Sequence, residues 1–251
     1  MRLVARYLTK IYRKPFQPPW VVGEPAIDRV SFTLDAGQTL AIVGAAGSGK
    51  TTVARVLSGA EPLTTGAILL DDEKVDPRTD PRYQKLVRMV FQDPSAALNP
   101  HYSVSSVFDA ILRRHTTLSA EERAEKIGHT LVDVGLLPEY AEFYPYMLTA
   151  GQKHRVALAR AIITDPRVVI CDESLSSIDL TVRAKLINLL LKLQQERGLS
   201  YIVITHDLEL IRHIADKVMV MRSGRVVEAG TTEQMLNEPR DPFTRQLLAL
   251  G

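Results

Sequence analysis

Hydrophobic positions along the chain follow two different periods, and the alternation between them predicts a protein of mixed strand and helix. Short apolar runs rich in β-branched residues have the length and composition of strands. These runs are LVARYL, VSFTLD, TLAIVG, AILL, VRMVF, VVIC, YIVITH and KVMVM. Segments with apolar residues every three or four positions, such as TVRAKLINLLLKLQQERG with Asp179 as a candidate N-cap and Gly198 past its end, are typical of helices. The alternation predicts a largely parallel α/β sheet.

Two segments depart from this alternation. Residues 13–26 are rich in proline and lack periodicity, which predicts an extended loop. From Asp93 to about Asp165 the apolar residues recur at helical spacing, which predicts a mainly helical section. We therefore expect a single domain of residues 1–251 with a helical subdomain, residues 93–165, inserted in it.

Composition and charge exclude several classes of protein. The chain has 251 residues, with 31 Lys and Arg against 29 Asp and Glu, so no global basic field favours nucleic acid as a partner. The single cysteine, Cys171, excludes an internal disulfide and any metal or iron–sulfur site built from several cysteines. No apolar run reaches the roughly 18 residues that a membrane-spanning helix requires. We also expect no signal peptide, because basic residues interrupt the apolar positions at the N-terminus.

A glycine-rich run after the strand TLAIVG matches the P-loop pattern G-x-x-x-x-G-K-[ST]. The run consists of Gly44, Ala45, Ala46, Gly47, Ser48, Gly49, Lys50 and Thr51, with Thr52 next in the following helix. Its glycines let consecutive backbone N–H groups turn inward around phosphate oxygens, and the helix points its positive end at the same anion. Lys50 can reach the β- and γ-phosphates, and the Thr51 hydroxyl can bind Mg²⁺.

A second strand, VVICD, ends at the adjacent acids Asp172 and Glu173. Phosphoryl transfer by a P-loop protein needs an acidic group that holds Mg²⁺ and another group that directs water. We expect Asp172 to hold the metal and Glu173 to polarise the attacking water as general base. The alternative, two solvated carboxylates at a strand end, is disfavoured by the presence of the P-loop.

Four further features follow in a fixed order. Gln92 ends a strand before the helical section and suits contact with a metal or water. The segment that opens the helix QKHRVALARAII places small residues and a hydroxyl at a helix N-terminus, a second anion site. This segment contains Thr149, Ala150, Gly151 and Gln152. Ser176–Asp179 follows the acidic strand, and His206 ends the strand YIVIT, where it could touch a γ-phosphate. Taken singly, these residues could be a surface amide, a helix N-cap and a loop histidine.

In their joint order the motifs resemble the ATP-binding cassette (ABC) ATPases over nearly the whole chain. The resemblance implies an α/β P-loop NTPase fold of ABC type, with a RecA-like core, an N-terminal antiparallel β section and the helical subdomain insertion. It implies ATP and Mg²⁺ as ligands, with Mg²⁺ held by Thr51, Gln92 and Asp172. Glu173, His206 and Gln92 are the implied catalytic residues.

The resemblance also implies roles away from the P-loop. Thr149–Gln152 corresponds to the signature motif, which faces the nucleotide of a second subunit. Ser176–Asp179 corresponds to the D-loop, with Asp179 at the nucleotide, and His206 to the switch histidine. Tyr12 matches the aromatic residue that stacks on adenine, and Trp20 is the alternative.

Finer features narrow the resemblance to the oligopeptide/dipeptide importer branch. The segments FQDPSAALNP, GLLPEYAEFYPYMLTAGQK, DESLSSID and EPRDPFTRQLLAL carry it, and they are similar to the Sap-type ATPases of antimicrobial-peptide uptake. This branch implies a second ABC ATPase subunit, two transmembrane permease subunits and, indirectly, a periplasmic or extracellular substrate-binding protein. Ala150 in the signature motif favours a heterodimer, and a homodimer stays open as the alternative. It places the chain at the cytoplasmic face of the cell (inner) membrane as a peripheral protein.

Three positions depart from the family pattern. In the signature motif, Thr149 replaces a serine and keeps the hydroxyl, whereas Ala150 replaces a glycine and adds a methyl group where backbone approaches phosphate. Ser174 replaces a proline that commonly follows the catalytic glutamate. A non-transport ABC ATPase, an accessory subunit of a cytosolic enzyme complex, would share every nucleotide-site residue and stays open as an alternative. The cargo also stays open among antimicrobial peptide, nutrient peptide and polyamine, as does the direction of transport.

Overall fold

The structure is a computed structural model that describes residues 1–12, 23–90, 98–173 and 180–249. The chain divides into two compact units, a first unit of Met1–Gln84 with Ser200–Gly251 and a second unit of Lys85–Leu199. The helical section expected at residues 93–165 lies within the second unit, which also contains strands and a further helix.

In the first unit, four strands form an antiparallel sheet in the order β2-β1-β4-β5. They are β1 (Leu3–Ile11), β2 (Pro25–Leu34), β4 (Thr65–Leu70) and β5 (Glu73–Val75). Leu8 and Ile27 are fully buried, because residues of one face of this sheet pack inward. The N-terminal antiparallel β section is thereby confirmed. The strand β2 already begins at Pro25, so the loop expected for residues 13–26 ends earlier; proline fits there because the first residue of a strand needs no ladder N–H.

The first unit also contains a set of parallel strands that leads into the P-loop. It consists of β3 (Thr39–Gly44), β8 (Ser200–Ile204) and β9 (Lys217–Arg222), with β10 (Arg225–Thr231) antiparallel to β9. Every residue of β3 is buried, as its unbroken apolar run predicts for a central parallel strand. The helices of this unit are α1 (Lys50–Leu57), α7 (Leu208–Ile214), α8 (Thr232–Asn237) and α9 (Pro242–Ala249).

The second unit pairs β6 (Val87–Val90) in parallel with β7 (Val168–Asp172), and α2 (Pro81–Leu86) precedes β6 along the chain. The helices that lie wholly within this unit are α3 (Val104–His115), α4 (Ala120–Asp133), α5 (Ala150–Ile162) and α6 (Leu180–Arg197). Two 3₁₀ turns, Pro138–Glu142 and Pro145–Met147, connect α4 to α5. The helices expected from the pattern over this section are therefore confirmed.

Local side chains set where these helices begin and end. The Ser103 hydroxyl caps α3, and Ser119 with Glu122 forms a reciprocal capping box at the start of α4. Gly198 follows α6 with a φ of +63°, and its N–H donates to the Gln194 carbonyl at 2.9 Å. The C-terminal glycine expected there is confirmed, since only glycine adopts this conformation without strain.

None of the helices in the described part of the chain combines the length and the apolar composition that crossing a bilayer requires.

Candidate functional site

The P-loop connects β3 to α1, and glycine conformations shape it. Gly47 has a φ of +75°, and Gly49, the N-cap of α1, has a φ of +101°; both lie in the region that favours glycine. Because Gly49 has no side chain that could accept a hydrogen bond, it gives α1 no side-chain cap. The N–H groups at the positive end of this helix therefore remain available to an anion. Ala45, Ala46 and Gly47 are exposed, so the loop is open to solvent.

Lys50, the first residue of α1, lies folded across this loop. Its ammonium donates to the carbonyl oxygens of Gly44 at 2.9 Å and Ala45 at 3.0 Å, and the residue is only 7% exposed. The positive charge is therefore held at the loop by the backbone of the P-loop itself. The next residue, Thr51, is exposed at the first turn of α1, and Thr52 is half-buried.

Two other segments of the first unit pack against the backbone of the P-loop. A Cβ atom at Gly49 would lie 2.5 Å from the Ala26 carbonyl oxygen of β2, so no other residue fits there. The Gly224 N–H donates to the Ser48 carbonyl at 3.0 Å. Gly224 and Ser223 form the tight turn between β9 and β10, with φ values of +80° and +47°. This support was not expected, although a Ser-Gly pair between two strand-like runs is a signal for such a turn.

His206 lies at the same sheet edge as the start of the P-loop. The parallel register sets Ile42 of β3 beside Ile204 of β8, and the Thr205 N–H donates to the Ile42 carbonyl at 3.4 Å. His206 follows two residues after this pairing ends and is exposed. The strand itself ends at Ile204, two residues before the histidine that was expected to end it.

Tyr12 follows the last residue of β1 and is 41% exposed. The ammonium of Lys10 lies over its ring, 4.9 Å from the ring centroid. Trp20, the alternative aromatic residue, lies outside the described residues.

The two acids of the second unit differ sharply in environment. Asp172 is the last residue of β7 and is 4% exposed, whereas Glu173 is half-buried. Glu173 has a φ of +44°, a left-handed conformation that costs a non-glycine residue roughly 1 kcal/mol. The strand β6 ends at Val90, which pairs with Cys171 of β7.

The signature segment begins α5 as expected, and two of its side chains are engaged there. The Thr149 hydroxyl accepts the Gln152 N–H at 3.3 Å, and the Gln152 side-chain oxygen accepts the Thr149 N–H at 2.8 Å. The Gln152 amide also donates to the Tyr140 hydroxyl at 2.7 Å, a support that the sequence did not indicate. Ala150 is exposed and Gly151 half-buried at the N-terminus of this helix.

Gln92, Ser174 and Ser176–Asp179 lie outside the described residues, so their placement stays a prediction.

Comparisons with known proteins agree with this geometry. A family model described as ABC transporter matches residues 27–176. The chain is 43% identical to the putrescine export system ATP-binding protein SapF of Escherichia coli strain K12 over 249 residues, 98% of this chain and 92% of that protein. The SapF protein of Salmonella typhimurium strain LT2 has the same identity and coverage and is named a peptide transport system ATP-binding protein.

A further relative and a solved structure extend the match. The chain is 44% identical over 227 residues to the dipeptide transport ATP-binding protein DppF of E. coli K12, 89% of this chain and 68% of that protein. The dimeric post-hydrolysis structure of the ATP-binding cassette MJ0796, bound to ADP and Pi, aligns with a TM-score of 0.78 and 25% identity, over 92% of this chain and 98% of that one. These matches confirm the expected fold. The chain belongs to the ABC transporter family, as one of its ATP-binding and ATP-hydrolysing subunits.

Proposed function

We propose that this chain hydrolyses ATP to drive peptide import by a membrane transporter. The observation that carries the proposal is the complete P-loop, with Lys50 held on its carbonyls and the uncapped end of α1 facing the same loop. Relatives named for peptide and dipeptide transport supply the class of cargo.

The donor set of the P-loop suits a nucleotide triphosphate. The buried Ser48 hydroxyl has no hydrogen-bond partner within the described part of the chain and is a donor that an oxyanion would satisfy. Lys50 exchanges its carbonyl contacts for the β- and γ-phosphates, and Tyr12 stacks on adenine. Thr51, Asp172 and Gln92 are the oxygen ligands that would hold Mg²⁺, which when bound neutralises developing charge on the phosphates.

Glu173 and His206 complete the site in this proposal. Glu173 accepts a proton from the attacking water, and its left-handed backbone fixes where the carboxylate leaves β7. His206, two residues past the end of β8, contacts the γ-phosphate together with Gln92. Asp179 contributes from the D-loop.

The signature segment serves the nucleotide of a second subunit. The MJ0796 cassette is described as dimeric, which supports a paired arrangement. We propose a heterodimer, because Ala150 adds a methyl group where the signature backbone approaches phosphate. The residues offered to the partner's nucleotide are Thr149, Ala150, Gly151 and Gln152.

The proposed assembly lies at the cytoplasmic face of the membrane, with two permease subunits and a substrate-binding protein outside. Residues 93–165 form the helical subdomain of one nucleotide-binding domain of 251 residues in this proposal, and the segment after Gln92 contacts the permeases.

Isolation of the chain in mild detergent from its native cell, followed by mass spectrometry, tests the assignment to transport. We expect two permease proteins and a second ATPase subunit to copurify. Copurification with a soluble enzyme complex in place of permeases would contradict transport and favour the accessory-subunit alternative. In reconstituted vesicles, ATPase stimulation by a di- or oligopeptide with its binding protein supports peptide cargo, whereas stimulation by putrescine alone contradicts it.

A further inference from the structure

A buried lysine lies beneath the aromatic residue that the proposed function assigns to adenine. Lys10 lies in β1, two residues before Tyr12, and is only 6% exposed. Lysine is rarely buried unless it is paired. Its ammonium forms an ion pair with Glu61 Oε2 at 3.1 Å and donates to the Pro62 carbonyl at 2.9 Å. These two partners hold the charge in one place.

The third neighbour of this ammonium is the ring of Tyr12. The ammonium lies over the ring at 4.9 Å from the centroid, while 41% of Tyr12 remains exposed. The charge therefore occupies one face of the ring and leaves other parts of the ring accessible. A cation on one face is attracted by the ring's negative quadrupole and draws electron density toward itself. The opposite face then repels a stacked purine less strongly.

The backbone links this arrangement to the P-loop within the first unit. Lys10 lies opposite Ile27 in the β1–β2 register. A Cβ atom at Gly49, the N-cap of α1, would lie 2.5 Å from the Ala26 carbonyl oxygen and 2.9 Å from Cγ2 of Ile27, so this part of β2 approaches the P-loop backbone closely. Residues 61–64, which include both partners of the Lys10 ammonium, are joined to β1, because the Ile11 N–H donates to Thr64 Oγ1 at 3.0 Å. The end of β1, which leads into Tyr12, is thus paired with the strand that lies against the phosphate-binding loop.

We propose that Lys10 is a positioning residue for the nucleotide base: held by Glu61 and Pro62, it fixes the Tyr12 ring against which a purine stacks. The inference rests on the proposed function, which assigns adenine to Tyr12. Lys10 itself touches no part of the nucleotide. Lys10 therefore contributes to binding of the nucleotide base and not to binding of the phosphates. A ligand that has phosphates but no base can separate the two contributions.

The test compares a ligand that has a base with one that lacks it. Dissociation constants of the full-length chain for Mg-ATP and for Mg-tripolyphosphate are measured by calorimetry. Tyr12→Ala should weaken ATP binding by about tenfold, the size of one base–aromatic stack. Lys10→Met should weaken it by about threefold, less than the full stack, because the Tyr12 ring remains. Neither change should alter tripolyphosphate binding, and Lys10→Arg, which keeps the charge, should restore most of the ATP affinity.

Two controls separate positioning from general stability. Lys217→Met removes another ion-paired lysine of the first unit, whose ammonium lies 3.5 Å from Asp35, and should leave the ratio of the two constants unchanged. Glu61→Gln keeps Lys10 and loosens its hold, so it should weaken ATP binding alone by about twofold. This variant also serves if Lys10→Met does not fold.

The outcomes are distinguishable. If Tyr12→Ala changes the ratio of the two constants but neither Lys10→Met nor Glu61→Gln does, the role of Lys10 is refuted and the role of Tyr12 stands. Equal loss of ATP and tripolyphosphate binding in the Lys10 and Glu61 variants would also refute it, since that is the result of a purely structural role. If Tyr12→Ala leaves the ratio unchanged, the proposed adenine contact itself is wrong, and this inference is refuted with it.

Discussion

At the scale of the residue, Glu173 combines a chemical role with an unusual backbone. Its φ of +44° carries a conformational cost that any non-glycine residue at this position would share. Glu173→Gln keeps both this cost and the side-chain shape, so the folded state should be as stable as before. Removing the base should lower ATP turnover by about 10²-fold or more, with ATP binding retained.

Steady-state ATPase assays with the partner subunit present, together with ATP binding by calorimetry, check this expectation. Glu139→Gln, on an exposed 3₁₀ turn, is the matched control and should turn over ATP normally. Turnover by Glu173→Gln close to that of the unchanged protein would remove Glu173 from the mechanism.

Two glycines with the same backbone conformation, one inside and one outside the P-loop, allow the effect of a P-loop substitution on ATP binding to be separated from its backbone strain. Gly47 in the P-loop has a φ of +75° and Gly37, in the turn between β2 and β3, has a φ of +73°. A Cβ atom at either position would meet no heavy atom within 4 Å. Each change to alanine should therefore cost a similar amount of stability, about 1 kcal/mol.

Only Gly47→Ala should also weaken ATP binding, because its methyl group projects from the loop that receives the phosphates. Chemical denaturation and calorimetry on both variants check the two halves of the prediction. Equal ATP affinity in Gly47→Ala and Gly37→Ala would show that Gly47 is needed for backbone conformation alone.

At the scale of the element, one carboxylate joins two helices of the second unit. Asp109 of α3 pairs with Arg113 at 2.7 Å and with Arg123 of α4 at 2.5 Å. The hydrogen bond from Arg123, followed by the nearby charge of Arg113, lowers the pKa of Asp109 below its usual value. Because a lowered pKa favours the folded state only while the group is ionised, this stabilisation is present at neutral pH. It is lost as the pH falls through the lowered pKa.

Asp109→Asn should therefore lower the melting temperature at pH 7, and the difference from the unchanged protein should shrink below about pH 4. Thermal melts across this pH range measure it. Glu73→Gln is the control, because the ion pair of Glu73 with Arg82 is exposed to solvent and such pairs contribute little to the stability of the fold. A difference that stays constant from pH 7 to pH 3 would show that the ion pairs of Asp109 do not stabilise the fold.

At the scale of the whole molecule, the substitution of Ala150 bears on how two subunits share work. In a heterodimer, the site completed by this chain's signature should hydrolyse ATP more slowly than the site that uses Lys50 and Glu173. Ala150→Gly should accelerate the slower site, whereas Glu173→Gln should silence the other. The capping box of Thr149 and Gln152 does not involve the side chain of residue 150, so α5 should begin at the same residue in Ala150→Gly.

Single-turnover hydrolysis in the purified pair of subunits, with one site disabled at a time, separates the two rates. Thr149→Ser, which keeps the capping hydroxyl, is the control for changes at the start of α5. A chain that forms an ATP-dependent homodimer and hydrolyses ATP as fast alone as with its partner would contradict the asymmetry.

The sequence by itself determined the features that depend on neighbours within a few residues. The P-loop pattern from Gly44 to Thr51, the cap of α5 at Thr149 and the end of α6 at Gly198 are of this kind. The hydrogen bonds within these motifs run between residues no more than six positions apart, so residue type and spacing are sufficient to predict them. The order of the motifs along the sequence indicated the family, and the comparisons confirmed that family.

The tertiary structure alone decided which distant residues support these motifs. The carbonyl of Ala26 in β2 leaves no room for a side chain at Gly49. The Gly224 N–H donates a hydrogen bond to the Ser48 carbonyl from a turn 176 residues further along the chain. A lysine is usually exposed, so the sequence alone does not predict that Lys10 is buried; in the folded chain it lies between Glu61 and Tyr12. Local periodicity carries no information about such contacts, because they exist only once the strands have paired and their register has brought the backbones together.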